Sequence, residues 1–348
     1  MPTVSDRVAQ MCAVMLLEPM IDPVFHDDSY AYRPKRSAHQ AVETARRRCW
    51  KYDWILDLDI RKFFDTIDHE LLMKAVKRHT SEPWVLLYIE RWLKVPYQTN
   101  DGQQIRRENG VPQGSVIGPL VANLFMHYAF DEWMKRNYPQ IPFERYADDT
   151  ICHCRTREEA EQLKMVIMKR LADCKLTLNE AKTKIVYCKD DDRRGRHEEE
   201  KFDFLGFTFM ARRSKNRWGK HFINFSPAIS TKAKKKIGEE IRSWNLQNRS
   251  DKSLTDLANI FNAKLQGYIN YYSKFYKSAM YPLFQRLNER LARWVGRKFK
   301  RCTRHKSKAM KVLGSMCKQN PNLFAHWKFG VTPPMVEIRR RGRIIGAV

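Results

Sequence analysis

Two acids stand side by side in the stretch FERYADDTIC, residues 143–152: Asp148 and Asp149. β-favouring residues flank them, so the stretch reads as strand, tight turn, strand. A third acid, Asp59, lies near the end of an alternating run, WILDLDI at 54–60. There Trp54, Leu56, Leu58 and Ile60 share one face, and Ile55, Asp57 and Asp59 the other. If the two segments are neighbouring antiparallel strands, the three acids converge at one sheet edge. Convergent carboxylates are unfavourable unless something neutralises them. Mg²⁺ does so with one or two carboxylates plus substrate phosphates. Two such ions about 3.5–4 Å apart would clamp the attacking and leaving oxygens of an in-line phosphoryl displacement. An Asp-Asp pair is also ordinary turn chemistry, so the neighbouring segments must decide.

Those segments supply an α+β frame. Residues 6–20 alternate at helical spacing as far as Pro19, and residues 38–50 predict a second helix. Helices are expected at 69–78, with Asp68 as N-cap, and at 83–93. NGVPQGSV, 109–116, is a loop by composition, and the apolar run after Pro119 predicts one long buried helix. A helix over 157–174, a strand ending LTLNEAKTKIVYC, a solvated charged loop at 189–201 and a strand in KFDFLGFTFMARR complete the mixed region. From about residue 227 the pattern is helical almost throughout, with a boundary near 210–227.

Charge divides along the same line. The 348-residue chain has a formal net charge of +26. Residues 211–348 hold 32 of the 65 Lys and Arg but only 6 of the 39 Asp and Glu. So one-sided a region points to a polyanion, in particular nucleic acid. The eight cysteines include no C-x-x-C pair, which fits free thiols in a reducing cytoplasm. Cys152 and Cys154 straddle His153, but strand alternation explains that pattern better than zinc. No run of eighteen apolar residues and no signal-peptide pattern occurs, so a cytoplasmic protein without a membrane partner is expected.

Taken together, the motifs resemble those of reverse transcriptases, in the form carried by bacterial group II intron-encoded proteins. YADD at 146–149 resembles their central motif, and LDIRKFFDTIDHELL, 58–72, their first acidic motif. NGVPQGSVIGPLVANLFM, 109–126, resembles the PQG motif, and SYAYRPKRSAHQAV, 29–42, the upstream R-P-x-R-S block. LTLNEAKTKI, 176–185, resembles the lysine-bearing motif, and FDFLGFTF, 202–209, the one that follows. GYINYYSKFY and LFAHWKFG resemble the maturase (thumb) domain. One YADD is weak; these blocks in order over nearly the whole chain are specific.

The resemblance implies a right-hand polymerase palm with an antiparallel sheet and partial fingers, followed by an all-helical thumb/maturase domain. It places partial fingers at 1–50, the palm at 51–215 and the basic helical domain at 216–348. It implies RNA-directed DNA polymerisation, a nucleotidyl transfer, linked to intron splicing and mobility. Asp59, Asp148 and Asp149 match the metal-binding acids, and the backbone carbonyl of Ile60 a further ligand. Phe64 matches the bulky residue beneath the nucleotide sugar, and Gln113 and Gly114 the loop touching template and nucleotide. Lys182 matches a lysine that protonates departing pyrophosphate. Arg33 and Arg36 are expected to meet template phosphates. Lys274 and Lys277 are expected to contact RNA opposite a core stripe of Tyr268, Tyr271, Tyr272 and Phe275. The implied cofactor is Mg²⁺, two ions, with Mn²⁺ as substitute. The implied partners are group II intron RNA, an RNA template with its DNA primer, and dNTPs; oligomeric state is open. Family members carry a further basic fingers block ahead of the Thr3–Gln10 segment, so two alternatives stand: a polymerase-inactive, RNA-binding maturase, or a truncated remnant.

Overall fold

The computed structural model describes residues 2–98, 101–193, 195–303 and 305–334. The C-terminal limit assigned to the basic domain lies outside the described residues. The chain opens with α1, Val4–Ile21, started by a reciprocal cap in which Thr3 Oγ1 accepts the Asp6 N–H at 3.1 Å and the Asp6 carboxylate accepts the Thr3 N–H. Pro19 sits in its last turn rather than ending it, forfeiting one hydrogen bond before a 3₁₀ turn at Asp22–Val24. α2, Ala38–Cys49, follows a Ser37 cap.

Strand β1 is Trp54–Leu58. Next come α3, Phe63–Thr66, α4, His69–Val76, and α5, Pro83–Lys94. The Asp68 side chain caps α4 by accepting the Leu71 N–H at 2.9 Å, as its position in the sequence predicts. A small hairpin, β2 (Tyr97–Gln98) with β3 (Gln104–Ile105), precedes α6, Gly118–Met126. The long helix expected there is present, running on from α6 through a π turn at His127–Asp131 into α7, Glu132–Asn137. Arg170 accounts for part of this, donating to the Ala129 and Tyr128 carbonyls that the π turn exposes.

β4, Phe143–Tyr146, and β5, Asp149–Cys154, form the hairpin anticipated around YADD. α8, Arg157–Asp173, and β6, Lys184–Tyr187, follow. The central sheet has the order β4-β5-β1-β6, with every pairing antiparallel. α8 packs on β1, β5 and β6, and one apolar core joins Leu56, Leu58, Phe63, Leu124, Phe130 and Leu163. Placing β1 between two partners leaves it apolar on both sides apart from Asp57, as a central strand requires.

KFDFLGFTFMARR is two strands, not one. β7, Lys201–Phe204, turns through Leu205 (φ +50°) and Gly206 (φ +80°) into β8, Phe207–Lys215, and β9, His221–Ile229, completes a second sheet. Two consecutive positive φ values are the signature of a two-residue hairpin turn, for which Gly206 is suited and Leu205 is not. The 189–201 loop is less solvated than its charge suggests. Arg193 is largely buried, pairing with Asp190 and donating to the carbonyls of Tyr52 and Cys49.

The chain forms two compact units, one running to Leu205 and including Phe209–Ser226, the other comprising Gly206–Thr208 and the chain from Pro227. The second unit is built from α9 (Thr231–Ser243), α10 (Leu254–Tyr272), α11 (Tyr281–Lys298), α12 (Lys306–Gln319) and α13 (Ala325–Lys328). Trp294, Phe284, Leu287 and Leu291 fill its core. The LFAHWKFG segment is anchored there by Asn288, whose Oδ1 accepts the Trp327 indole N–H and faces His326 Nε2, both at 2.8 Å, while its Nδ2 donates to the Val331 carbonyl. Burial holds His326 neutral, with its pKa pushed down to about 3.

Candidate active site

Strand register builds the site. Leu58 lies opposite Thr150, which brings Asp59, the next residue, level with Asp149 at the start of β5. Tyr146 pairs with Asp149 across the β4–β5 hairpin, so Ala147 and Asp148 are its two turn residues. The three acids predicted from the sequence therefore meet at one end of the sheet. Ile60 forms an isolated antiparallel bridge with Leu178, flanked by bonds from Arg61 N to the Thr177 carbonyl and from Asn179 N to the Asp59 carbonyl. Those flanking bonds make it a non-hydrogen-bonded pair, so the Ile60 carbonyl points to the other side of the strand, the side of β5.

The acids press on one another. Burial, then Asp148, Asp59 and Asp203 push the Asp149 carboxyl up to about 7, against a stabilising Leu205 backbone N–H. Burial, joined by Asp59, also raises Asp148. Asp57 is also raised well above the usual carboxylate range, by burial first and then by Asp149, Asp59 and Asp203. Lys182 Nζ stands 3.7 Å from Asp59 Oδ2 with both side chains substantially exposed, while Arg145 opposes the shift at Asp148 and Lys184 that at Asp57. Among the described residues no three His, Cys, Asp or Glu side chains form a ready-made metal cage. Asp59, Asp148 and Asp149 nonetheless offer carboxylate oxygens alone, crowded beyond what Lys182 offsets. That donor set suits a hard divalent cation completed by substrate oxygens.

The turn is held from below by residues the sequence did not single out. Arg145 is fully buried and forks onto Asp131, with Nε to Oδ1 at 2.6 Å and Nη2 to Oδ2 at 2.5 Å. The same guanidinium donates to Asn123 Oδ1 (2.8 Å), Ser29 Oγ (2.8 Å) and the Ala147 carbonyl (3.0 Å). Ala147 has φ +60°, a left-handed conformation that costs a non-glycine residue about 1–2 kcal/mol, so this anchor sits where backbone strain is stored. An arginine in a short strand reads as a solvated charge, and only the three-dimensional arrangement shows otherwise.

The PQG loop sits beside the first acidic motif. Val111 N donates to the Phe64 carbonyl at 2.7 Å and Gly110 N to the Ile67 carbonyl at 2.7 Å. A Cβ on Gly110 would lie 2.6 Å from the Asp65 carbonyl oxygen, so only glycine fits there. Phe64 is half-buried, edge-on to Phe63 at 5.2 Å. Gln113 and Gly114 are exposed and, with Lys62, Asp65 and Asn109, line a cleft of about 1430 Å³. Gln10 of α1 fixes this loop, its Oε1 accepting the Val116 N–H at 2.7 Å and the Ser115 hydroxyl at 3.0 Å.

Other expected contacts fare differently. Arg33 is turned inward: Nε pairs with Asp22 at 2.6 Å, and its terminal nitrogens donate to the carbonyls of His26, Ser29 and Asp22. Four of its five N–H donors are engaged within the fold, a structural role that the phosphate contact expected of it did not anticipate. Arg36 is partly exposed and pairs with the exposed Asp27. Lys274 and Lys277 are exposed but lie beyond the end of α10 at Tyr272, not on its opposite face. Tyr268, Tyr271, Tyr272 and Phe275 pack inward as the core stripe suggested; the last three surround Phe207 at 5.4–5.6 Å between ring centres. His153 is buried with Nε2 2.5 Å from Glu144, and Cys152 and Cys154 are buried free thiols, in keeping with a structural strand rather than zinc.

Comparison with known proteins identifies the family. Residues 1–209 match the family described as reverse transcriptase (RNA-dependent DNA polymerase), and residues 234–312 match the group II intron, maturase-specific domain. Protein YkfC of Escherichia coli (strain K12) is 28% identical over 252 residues, covering 62% of this chain and 63% of that protein. The group II intron-encoded protein LtrA of Lactococcus lactis subsp. cremoris is 25% identical over 355 residues, covering 78% of this chain and 57% of LtrA. The alignments thus span less than two thirds of either relative. Apo telomerase from Candida tropicalis aligns at 12% identity with a TM-score of 0.48, covering 93% of this chain and 60% of that one. With a reverse transcriptase region and a maturase-specific domain in one chain, the protein belongs to the group II intron reverse transcriptase/maturase family.

Proposed function

We propose that the chain is an RNA-directed DNA polymerase that extends a DNA primer 3′-hydroxyl with dNTPs on an RNA template and assists group II intron splicing and mobility. The observation that carries this reading is the β1–β5 register, which levels Asp59 with the Asp148–Asp149 turn. Mg²⁺, as two ions or replaced by Mn²⁺, would supply charge neutralisation for the attacking and leaving oxygens. Asp59 and Asp148 are the principal ligands, Asp149 the third acid and the Ile60 carbonyl a further oxygen. Phe64 lies beneath the nucleotide sugar and excludes a ribose 2′-hydroxyl by contact. Gln113 and Gly114 border template and nucleotide, the glycine allowing close backbone approach. Lys182, beside Asp59, clamps or protonates the departing pyrophosphate. Residues 51–215 act as palm, 1–50 as part of the fingers and 216–348 as thumb/maturase, with Arg36, Lys274 and Lys277 available to RNA. Eight free cysteines suit a cytoplasmic setting, and no described helix is long and apolar enough to cross a membrane.

A second reading, an RNA-binding maturase without polymerase activity, is favoured by the concentration of positive charge after residue 210. Primer extension on poly(rA) primed with oligo(dT) separates the two. Incorporation by the wild-type chain, abolished by Asp148→Ala in a protein that still melts cooperatively, supports the polymerase. Tight binding of an intron transcript with no incorporation supports the maturase alone.

A further inference from the structure

In the second unit, α9 and α11 meet at Gly238, where a Cβ would stand 4.0 Å from Leu283 Cδ1. A groove of about 780 Å³ runs along their seam. Lys234, Lys235 and Arg242 line one wall; Arg286, Arg290 and Arg293 line the other. The three α11 arginines follow at intervals of four and three residues on one helical face, rising about 4.5–6 Å per step. Two acids, Glu239 and Glu289, also border the groove. Yet Lys235, Arg242, Arg286, Arg290 and Arg293 make no ion pair among the described residues, whereas Lys264 and Lys252 nearby in sequence do. The crowding has a cost: burial, then Arg293 and Arg242, hold Arg290 below the usual arginine range, with Glu289 opposing.

A groove that folding alone leaves self-repelling is suited to an anion from outside. Guanidinium forks engage phosphate oxygens bidentately, and a row of them at helical spacing faces a chain of phosphates rather than a single one. No aromatic side chain lines the groove, so it has no platform for stacking bases. Contacts confined to backbone phosphates give affinity and register without reading sequence.

We propose that the α9–α11 groove grips the phosphodiester backbone of intron RNA, with phosphates of one strand seated along Arg286, Arg290 and Arg293, and with Lys235 and Arg242 closing from the opposite wall. This rests on the reading of the second unit as an intron-RNA-binding domain and assigns the contact to a place within it.

The test uses the full chain, a labelled, folded group II intron transcript and a labelled RNA–DNA primer–template duplex, each titrated over a range of salt. Arg286→Gln/Arg290→Gln/Arg293→Gln is expected to weaken transcript binding roughly tenfold or more. The slope of log affinity against log salt should fall by about 2–3 for three lost phosphate contacts. Its melting temperature should hold or rise, because like charges have been removed. Lys235→Gln/Arg242→Gln on the other wall is expected to act in the same direction and stands in if the triple variant misfolds. Unchanged transcript affinity and slope in both variants, with the wild type binding well, would overturn the groove assignment while leaving the maturase reading intact. Loss confined to the primer–template duplex would also overturn it. Failure of the wild-type chain to bind the transcript at all would overturn the maturase reading itself, and the groove with it.

Discussion

Removing the Arg145 guanidinium should unfasten the acidic turn. Arg145 and Asp131 are both fully buried and share two hydrogen bonds, and the same fork reaches Asn123, Ser29 and the Ala147 carbonyl. Arg145→Met fills much of the volume but leaves the buried Asp131 carboxylate with only the His127 ring, 4.0 Å away, beside it. Breaking a buried pair on one side costs about 3–5 kcal/mol, and the orphaned carbonyl acceptors add to that. Against a typical domain stability of about 5–15 kcal/mol, the first unit would be close to unfolding at physiological temperature. Urea denaturation followed by tryptophan fluorescence reads this as a lower midpoint. Arg145→Lys keeps the charge but not the fork and should fall between. Arg145→Met/Asp131→Leu removes both charges and should recover about 1–4 kcal/mol over the single variant. Primer extension should not recover with it, because the strained Ala147 carbonyl still lacks its donor. An Arg145→Met protein within about 1 kcal/mol of wild type, or a double variant with full activity, would refute this account of the turn.

Three further outcomes are expected. Ala147→Gly relieves the left-handed φ and should not destabilise the fold, with the gain limited to about 1 kcal/mol because glycine also loosens the unfolded chain; a clear loss of stability would show that the methyl group packs usefully. The raised Asp149 pKa means the folded state holds a proton between about pH 4 and 7 that the unfolded chain has released. Its contribution to stability is therefore present at low pH and lost as pH rises through about 7, so the difference between wild type and Asp149→Asn in urea should grow across that window, and Mg²⁺ should reduce it above pH 7. Phe64→Ala should raise incorporation of rNTPs relative to dNTPs in primer extension; an unchanged ratio would assign the ring to packing against Phe63 alone.

Much of the frame was legible because local chemistry and tertiary environment agree. Alternation across WILDLDI, the tight turn within FERYADDTIC, and the cap at Asp68 each specify an element without help from distant contacts. The hidden parts are those that tertiary contacts decide. Arg33 and Arg145 look like surface cations in one dimension and are buried donors in three. Gln10 is an ordinary polar residue on α1 until Val116 and Ser115 are brought to it. The π turn at His127–Asp131 has no mark in an apolar run, because the Arg170 that satisfies its carbonyls lies some forty residues on. Asp203 was missed because its strand was merged with the next; the hairpin at Leu205–Gly206 sets it near Asp149 and Asp57. The convergence of the three acids was legible for the opposite reason: antiparallel pairing of two recognisable strands brings them together.

The central claim is that Asp59, Asp148 and Asp149 hold a divalent cation together with a nucleotide triphosphate. Electron paramagnetic resonance of Mn²⁺ titrated into the protein with dTTP reads this directly. The wild-type chain should bind Mn²⁺ more tightly than dTTP alone does, and Asp59→Asn/Asp148→Asn, folded by the same urea criterion, should lose that gain. Equal Mn²⁺ binding by both proteins would contradict the claim.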